Sequence, residues 1–284
     1  MRPAASLVVE SFDAGGENLP ALDDHALAAD LAERAGRLLL ELRAAGGDPD
    51  VLRKAGDRQS HEFLMAELAK ARPGDAVLSE EGIDDKARLT ADRVWIVDPL
   101  DGTREFGEPG RSDWAVHVAL WARDAPAPLG QGPENSAGDL IAGAVALPAP
   151  GCVLSTASPM TFPAGDGAQR SLRIVVSRSR ASDLVKDVAA RIHADLVPCG
   201  SAGAKAATVV RGENDVYLHS GGFYEWDTAA PVAVARANGF HVSRIDGSPV
   251  VYNQEDPLLP DILVCRPAIA PVLLNAIREA THAI

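Results

Sequence analysis

The order of apolar patterns along this chain predicts an α/β protein, α+β in its first half and α/β in its second. Three observations carry that expectation. Leu27, Leu31, Leu38 and Leu42 recur near helical spacing. Short apolar runs bounded by turn residues, Trp95-Ile96-Val97 the clearest, read as buried strands. Beyond about residue 170, strand-like and helix-like segments follow one another.

Residues 1–22 contain Gly15-Gly16-Glu17-Asn18 and little periodicity, so a flexible extension is expected there. A helix is expected from Asp24 through Leu42 and a second from Ser60 to Ala71. Strands follow at Ala76–Leu78, Val94–Val97, Trp114–Trp121 and Ile141–Leu147, with a Pro/Gly-rich hairpin loop at 125–135. A second such stretch, Ser158 to Gln169, marks the expected boundary between a domain at 23–165 and another at 166–284. The second half reads as strand Leu172–Ser177, helices Ala181–Ala194 and Ala202–Arg211, strand Val216–His219, helix Thr228–Asn238, strand Ile262–Cys265 and a terminal helix.

Composition narrows the function. With 284 residues and 46% hydrophobic content the chain can bury a large core. Its 27 basic and 40 acidic residues give a net charge of −13, which argues against nucleic-acid polymers and anionic membranes as partners. A small anion remains compatible, because bound metals reverse the local sign. No window approaches a membrane span, and the start is too short and soon too acidic for a signal peptide, so a cytoplasmic protein is expected. Cys152, Cys199 and Cys265 lack close spacing and read as reduced thiols. His61, His117 and His219 sit in apolar or helical surroundings and read as structural.

The run Trp95 to Thr103 is the most informative. Asp98 sits where a buried strand ends, Pro99 is expected to stop ladder pairing, and Asp101-Gly102-Thr103 is a tight turn whose free N–H groups seat an anion. Carboxylates beside an anion repel it unless divalent metal intervenes, and hard oxygen ligands select Mg²⁺. A plain strand followed by an Asp-Gly turn is the ordinary alternative. Further acids shift the balance: Glu80-Glu81 follow a short apolar run, and Glu225-Trp226-Asp227 precede a helical segment. Because Pro231 is best tolerated in a first turn, Thr228 is the expected N-cap, with Asp227 just outside the helix.

The series Glu80-Glu81, then Asp98-Pro99-Leu100-Asp101-Gly102-Thr103, then Trp226-Asp227 resembles the inositol monophosphatase superfamily from about residue 25 to the end of the chain. Arg104-Glu105-Phe106 after the Thr, and Gly200-Ser201 with Lys205, resemble its 3′-phosphoadenosine 5′-phosphate phosphatase branch. The chain departs from some relatives at His219 and Glu225, and the Gly200-to-Lys205 spacing is one residue longer than the compact version.

The resemblance implies a layered α-β-α-β-α sugar-phosphatase fold. It also implies metal ligation by Glu80, Asp98, the Leu100 carbonyl, Asp101 and Asp227, and phosphate binding by the Gly102 and Thr103 amides. Arg104, Gly200, Ser201 and Lys205 would face the rest of a phosphorylated nucleotide. Lys205 has an equally simple reading as a solvated helix lysine. Family proposals differ on whether Asp57 with Thr103, or Glu80 with Thr103, activates the attacking water. The first pair is favoured here, although an acid at Asp57 could equally support the start of the next helix.

About five carboxylates need two or three Mg²⁺ ions for near-neutrality. The implied activity is hydrolysis of the 3′-phosphate of 3′-phosphoadenosine 5′-phosphate, in sulfate assimilation, with the 5′-phosphosulfate analogue as a second substrate and inhibition by Li⁺ and Ca²⁺. Hydrolysis of inositol phosphates or fructose 1,6-bisphosphate by the same chemistry, and a non-catalytic metal or nucleotide sensor, are the alternatives. The resemblance allows a homodimer, an assembly common in the family.

Overall fold

Two capped helices open the first half. Asp23 accepts the N–H of Ala26 at 2.8 Å and starts α1 (Asp24–Ala45); Asp48 caps α2 (Pro49–Ala71), whose first residue is a proline with no N–H to lose. The second helix thus begins well before Ser60, and Asp57 lies inside it rather than ahead of it. Its buried stripe runs through Gly56, Ser60, Leu64 and Leu68, so the first two positions carry no apolar signal. The structure, a computed structural model, describes residues 22–125, 138–160, 170–179 and 181–282. The expected N-terminal extension, nearly all of the loop at 125–135 and the boundary near 165 lie outside the described residues.

The first sheet comprises β1 (Ala76–Ser79), β2 (Arg93–Asp101), β3 (Ala115–Ala122), β4 (Asp139–Leu147) and β5 (Cys152–Ser155), in that order. β1 pairs parallel to β2 and the remaining pairs are antiparallel. A short helix, α3 (Thr103–Gly107), follows β2. The second half supplies β6 (Arg173–Ser177), α4 (Asp183–Arg191), β7 (Asp195–Cys199), α5 (Ala202–Val210), β8 (Val216–Tyr224), α6 (Glu225–Ala237), β9 (His241–Ser243), β10 (Leu258–Cys265) and α7 (Ala270–Thr281). Its sheet runs β7-β6-β8-β10-β9.

Side-chain alternation stacks these parts into five layers. On β2, Trp95 and Val97 join Leu31 and Leu39 of α1 and Leu64 of α2, whereas Val94 and Ile96 face a core shared with α5, α6 and the second sheet. That sheet's other face packs Ile174, Leu218 and Leu263 against Val188 of α4 and Leu273 of α7. The order is therefore α1/α2, first sheet, α5/α6, second sheet, α4/α7, which is the α-β-α-β-α arrangement that the resemblance implies. Strands buried on both faces read as continuous apolar runs, which is why β2 stood out in the sequence.

Other element boundaries correct the expectations too: β8 runs on to Tyr224 past His219, and β10 starts at Leu258 rather than Ile262. β2 does not end at Asp98 but resumes pairing at Asp101, opposite Ala115, after a register shift around Pro99. α6 begins at Glu225, not Thr228, with Tyr224 as its N-cap, so Asp227 lies in the first turn and Pro231 inside the helix. The expected helix to Ala194 ends at Arg191, and β5, β7 and β9 were not anticipated. These strands are short, and β7 has only partial burial and a proline at Pro198, so none carries a strong periodic signal.

Candidate active site

The site grows from the carboxyl ends of the parallel pair β1 and β2. The N–H of Glu80 donates to the Val97 carbonyl at 3.3 Å, which sets Glu80 beside Asp98. In a regular strand residues three apart point to opposite faces. Here three steps on β2, from Asp98 to Asp101, oppose two on β3, from His117 to Ala115. The extra residue is a bulge that turns both carboxylates to one side. A local bond holds it, from the Leu100 N–H to Asp98 Oδ1 at 3.0 Å. A second comes from outside, from Ser60 Oγ to the Pro99 carbonyl at 2.7 Å.

Asp227 reaches the same place from α6. One of its oxygens accepts the Tyr224 N–H at 2.6 Å, so the side chain both caps its own helix and meets Asp98 and Asp101, with one oxygen from each of the three lying within 4.8 Å of the others. A chelating set of hard oxygens at that spacing, on residues largely withdrawn from water, fits a divalent cation and otherwise concentrates negative charge. The electrostatics register that excess. Burial, joined by the charges of Glu80, Asp101 and Asp227, pushes Asp98 well above the usual carboxylate range. Asp227 rises to about 6, through burial and then the charge of Asp101. Glu80 rises to about 7 as its carboxyl loses water and faces Asp227 and Asp101, although the residue as a whole stays exposed.

Asp101 behaves differently. Burial pushes it up, but the adjacent His117, the Lys205 charge and the Gly203 N–H together hold it below its ordinary value. Its two oxygens accept the N–H groups of Ala202 at 3.1 Å and Gly203 at 2.6 Å, at the start of α5, and His117 Nε2 lies 3.1 Å from Oδ2. His117 Nδ1 contacts the Trp226 carbonyl at 3.1 Å, tying Asp101 to the start of α6. The sequence reading of His117 as a structural histidine missed this contact with the site. Only strand pairing, which sets His117 opposite Asp98, reveals it.

Next to the carboxylates, Gly102 sits at φ 85° and caps α3 without a side chain, and a Cβ there would meet that of Ser201 at 2.9 Å. Thr103 Oγ1 contacts both Asp57 Oδ1 and the Leu100 carbonyl at 3.1 Å. Burial, with the Glu81 charge nearby, pushes Asp57 up to about 6 against the lowering effect of the Thr103 hydroxyl.

A cavity of about 540 Å³ opens in front of these groups, lined by Glu80, Asp101, Gly102, Thr103, Arg104, Gly200, Ser201, Lys205 and Asp227 among the expected residues. Asp98 and the Leu100 side chain are buried behind it. Lys205 is not a solvated lysine: it is 5% exposed, and its Nζ donates to the Gly200 carbonyl at 2.5 Å and that of Ser201 at 2.9 Å. Burial lowers its pKa against the pull of Asp101.

Asp113, not anticipated, orders the facing loop by accepting the Gly200 N–H at 2.6 Å on its carboxylate and the Ser201 N–H at 3.1 Å on its carbonyl. Arg178 was also missed. It joins β6 to α3 through Glu105 at 2.7 Å and Glu108 at 2.9 Å. Phe223 and Tyr224 complete an aromatic side of the cavity.

A family model, the inositol monophosphatase family, matches residues 26–282. The chain is 51% identical over 261 residues to the 3′-phosphoadenosine 5′-phosphate phosphatase of Mycobacterium leprae, covering 91% of this chain and 94% of that one. It is 28% identical to the 3′(2′),5′-bisphosphate nucleotidase CysQ of Escherichia coli K12, over 81% of this chain and 94% of the relative. The crystal structure of CysQ from Bacteroides thetaiotaomicron superposes with a TM-score of 0.67 at 27% identity, covering 85% of this chain and 96% of that one. Inositol monophosphatase II of Staphylococcus aureus shares the fold at a TM-score of 0.74 and 20% identity, with 90% and 96% of the two chains covered. By its matched span, its relatives and its fold, the chain belongs to the inositol monophosphatase family.

Proposed function

We propose that the protein is a Mg²⁺-dependent 3′(2′),5′-bisphosphate nucleotidase that hydrolyses the 3′-phosphate of 3′-phosphoadenosine 5′-phosphate to give AMP and phosphate, in sulfate assimilation in the cytoplasm. The observation that carries the reaction class is the convergence of Asp98, Asp101 and Asp227 beside the Gly102-Thr103 turn. The half-identical M. leprae phosphatase supports the choice of substrate.

Asp98, Asp101, Asp227, Glu80 and the Leu100 carbonyl would hold two or three Mg²⁺ ions, with the two halves, 23–165 and 166–284, both contributing ligands. When bound, the ions would neutralise these carboxylates, acidify a water molecule and offset charge on the departing 3′ oxygen.

The chain's own residues do the rest. The Gly102 and Thr103 amides, at the positive end of a short turn of helix, bind phosphate oxygens. Thr103 Oγ1 donates to Asp57 and accepts from the attacking water, so the water proton passes to Thr103 as the threonine proton passes to Asp57. A carboxyl pushed up to about 6 is basic enough to take that proton near neutral pH. Arg104, Gly200 and Ser201 face the nucleotide, while Lys205 braces the loop that carries Gly200 and contributes positive charge from behind it.

Phosphate release in Mg²⁺, compared among 3′-phosphoadenosine 5′-phosphate, inositol 1-phosphate and fructose 1,6-bisphosphate, tests the proposal. The expected result is a nucleotide preference in kcat/KM of about tenfold or more, equal to about 1.4 kcal/mol. Preference for a sugar phosphate would retain the mechanism and discard the substrate. Nucleotide binding without turnover would favour a sensor.

A further inference from the structure

The two halves meet at a second place, away from Asp101, through a buried string of polar contacts that the reaction does not use. Asp84, four positions after Glu80, accepts from Arg88 Nε at 2.7 Å and Nη2 at 3.1 Å. Arg88 is 1% exposed and donates onward, from Nη1 to Asn253 Oδ1 at 2.8 Å and from Nη2 to the Gln254 carbonyl at 2.8 Å. Asn253 returns a bond from Nδ2 to the Arg88 carbonyl at 3.2 Å. Beside this pair Lys86 Nζ donates to the Glu255 carbonyl at 2.6 Å.

The string ends on α6. The N–H groups of Asn253 and Gln254 both point at the carboxylate of Glu225, at 2.7 and 2.8 Å, and the Glu225 N–H donates to the Pro257 carbonyl at 2.8 Å. Glu225 is 1% exposed and lies two positions before Asp227 on the same first turn. Asn253 adopts φ 59°, a left-handed conformation that few residues other than glycine take up. Successive N–H groups converging on one carboxylate form a nest, and this one requires that conformation. A strained backbone, a buried carboxylate and a buried guanidinium occur together where each satisfies the next, so the arrangement has few alternative geometries.

We infer that Arg88, Asn253 and Glu225 are positioning residues that set the separation between Glu80 and Asp227, and through it the affinity of the protein for a divalent cation. The inference rests on the reading that Glu80 and Asp227 are ligands. Carboxylates on two separate halves chelate one ion group only if something fixes the gap between them, and supporting groups behind ligands commonly contribute about 10–100-fold in affinity.

Asn253→Gly is the decisive variant. Glycine keeps the left-handed backbone and both N–H donors to Glu225, while deleting the side chain that meets Arg88. Calorimetric titration of substrate-free protein with Mg²⁺ should give a dissociation constant raised about tenfold or more. Turnover at saturating Mg²⁺ should stay within about twofold of wild type. Glu225→Gln, whose amide keeps one acceptor but turns its NH2 toward the other backbone donor, should weaken Mg²⁺ further. If Asn253→Gly does not fold, Arg88→Lys, which keeps the charge but loses the fork, carries the same readout. An unchanged Mg²⁺ dissociation constant in a folded variant, with or without a lower Tm, overturns the inference. Wild-type protein that takes up no Mg²⁺, or uptake unaltered by Asp227→Asn, would instead refute the ligand assignment beneath it.

Discussion

Asp101, at the end of a strand in the first half, accepts the backbone N–H of Gly203 at 2.6 Å across to the second half. With the Ala202 N–H on its other oxygen, the carboxylate sits at the positive end of α5. It stays ionised while its neighbours Asp98, Glu80 and Asp227 are pushed toward their neutral forms. One contact thus joins the halves and keeps one charged ligand candidate in place before any cation arrives.

Gly203→Ala should therefore be damaging. A methyl at that position would overlap His117 Nε2, which is fully buried against Asp101. Overpacking of this kind costs about 1–3 kcal/mol. Thermal unfolding should show a lower Tm, and phosphate release should fall with it; wild-type values for both would show that the contact is dispensable.

Asp101→Asn should remove turnover more than structure. The amide keeps the shape but loses the charge, and its NH2 opposes one of the two N–H donors, Ala202 or Gly203, while its oxygen can accept only from the other. Turnover is expected to fall at least about a hundredfold, with weaker Mg²⁺ uptake. Retained turnover would exclude Asp101 from the metal site.

The Thr103–Asp57 pair predicts the acid limb of the pH profile. Asp57 is pushed up to about 6 by burial, and in its proposed role as proton acceptor it must be ionised, so kcat/KM should rise with pH through about 6. Asp57→Asn should flatten that limb and lower the rate about 10²–10⁴-fold. If the limb survives in this variant, the proton acceptor is another group, with Glu80 the first to test.

Without metal, stability should fall as pH rises. Glu80 and Asp227 are raised from 4.5 to about 7 and from 3.8 to about 6, so over that interval the folded protein holds protons that the unfolded chain has released. Stability then decreases from about pH 4 to pH 7 and levels off above it. Added Mg²⁺ should raise Tm by an increment that grows across the same interval, because it binds the ionised forms. A Tm increment independent of pH in differential scanning calorimetry with and without Mg²⁺ would count against these carboxylates as ligands.

Much of this protein follows from local chemistry. The apolar run before Asp98 specifies a strand because only burial on both faces suits it, and the Asp101-Gly102-Thr103 turn needs a residue that accepts positive φ. The acidic motifs at Glu80, Asp98, Asp101 and Asp227 are visible because each lies at or within a few residues of an element's end, beside an apolar or helical segment. What local pattern could not specify lies in contacts between distant segments. The start of α2 was hidden because Gly56 and Ser60 occupy its buried stripe, and α6 was shortened in the reading because Pro231 looked like a first-turn residue. The bulge that aims Asp98 and Asp101 together depends on β3, the burial of Lys205 on the fold around α5, and the partnership of His117 with Asp101 on strand register. A sequence determines which side chains can ligate, cap or pack, since those are properties of residues and short spacings. Only the tertiary structure decides which of them meet and which carboxylates stay charged, because both depend on how much water and which charges the rest of the chain leaves around them.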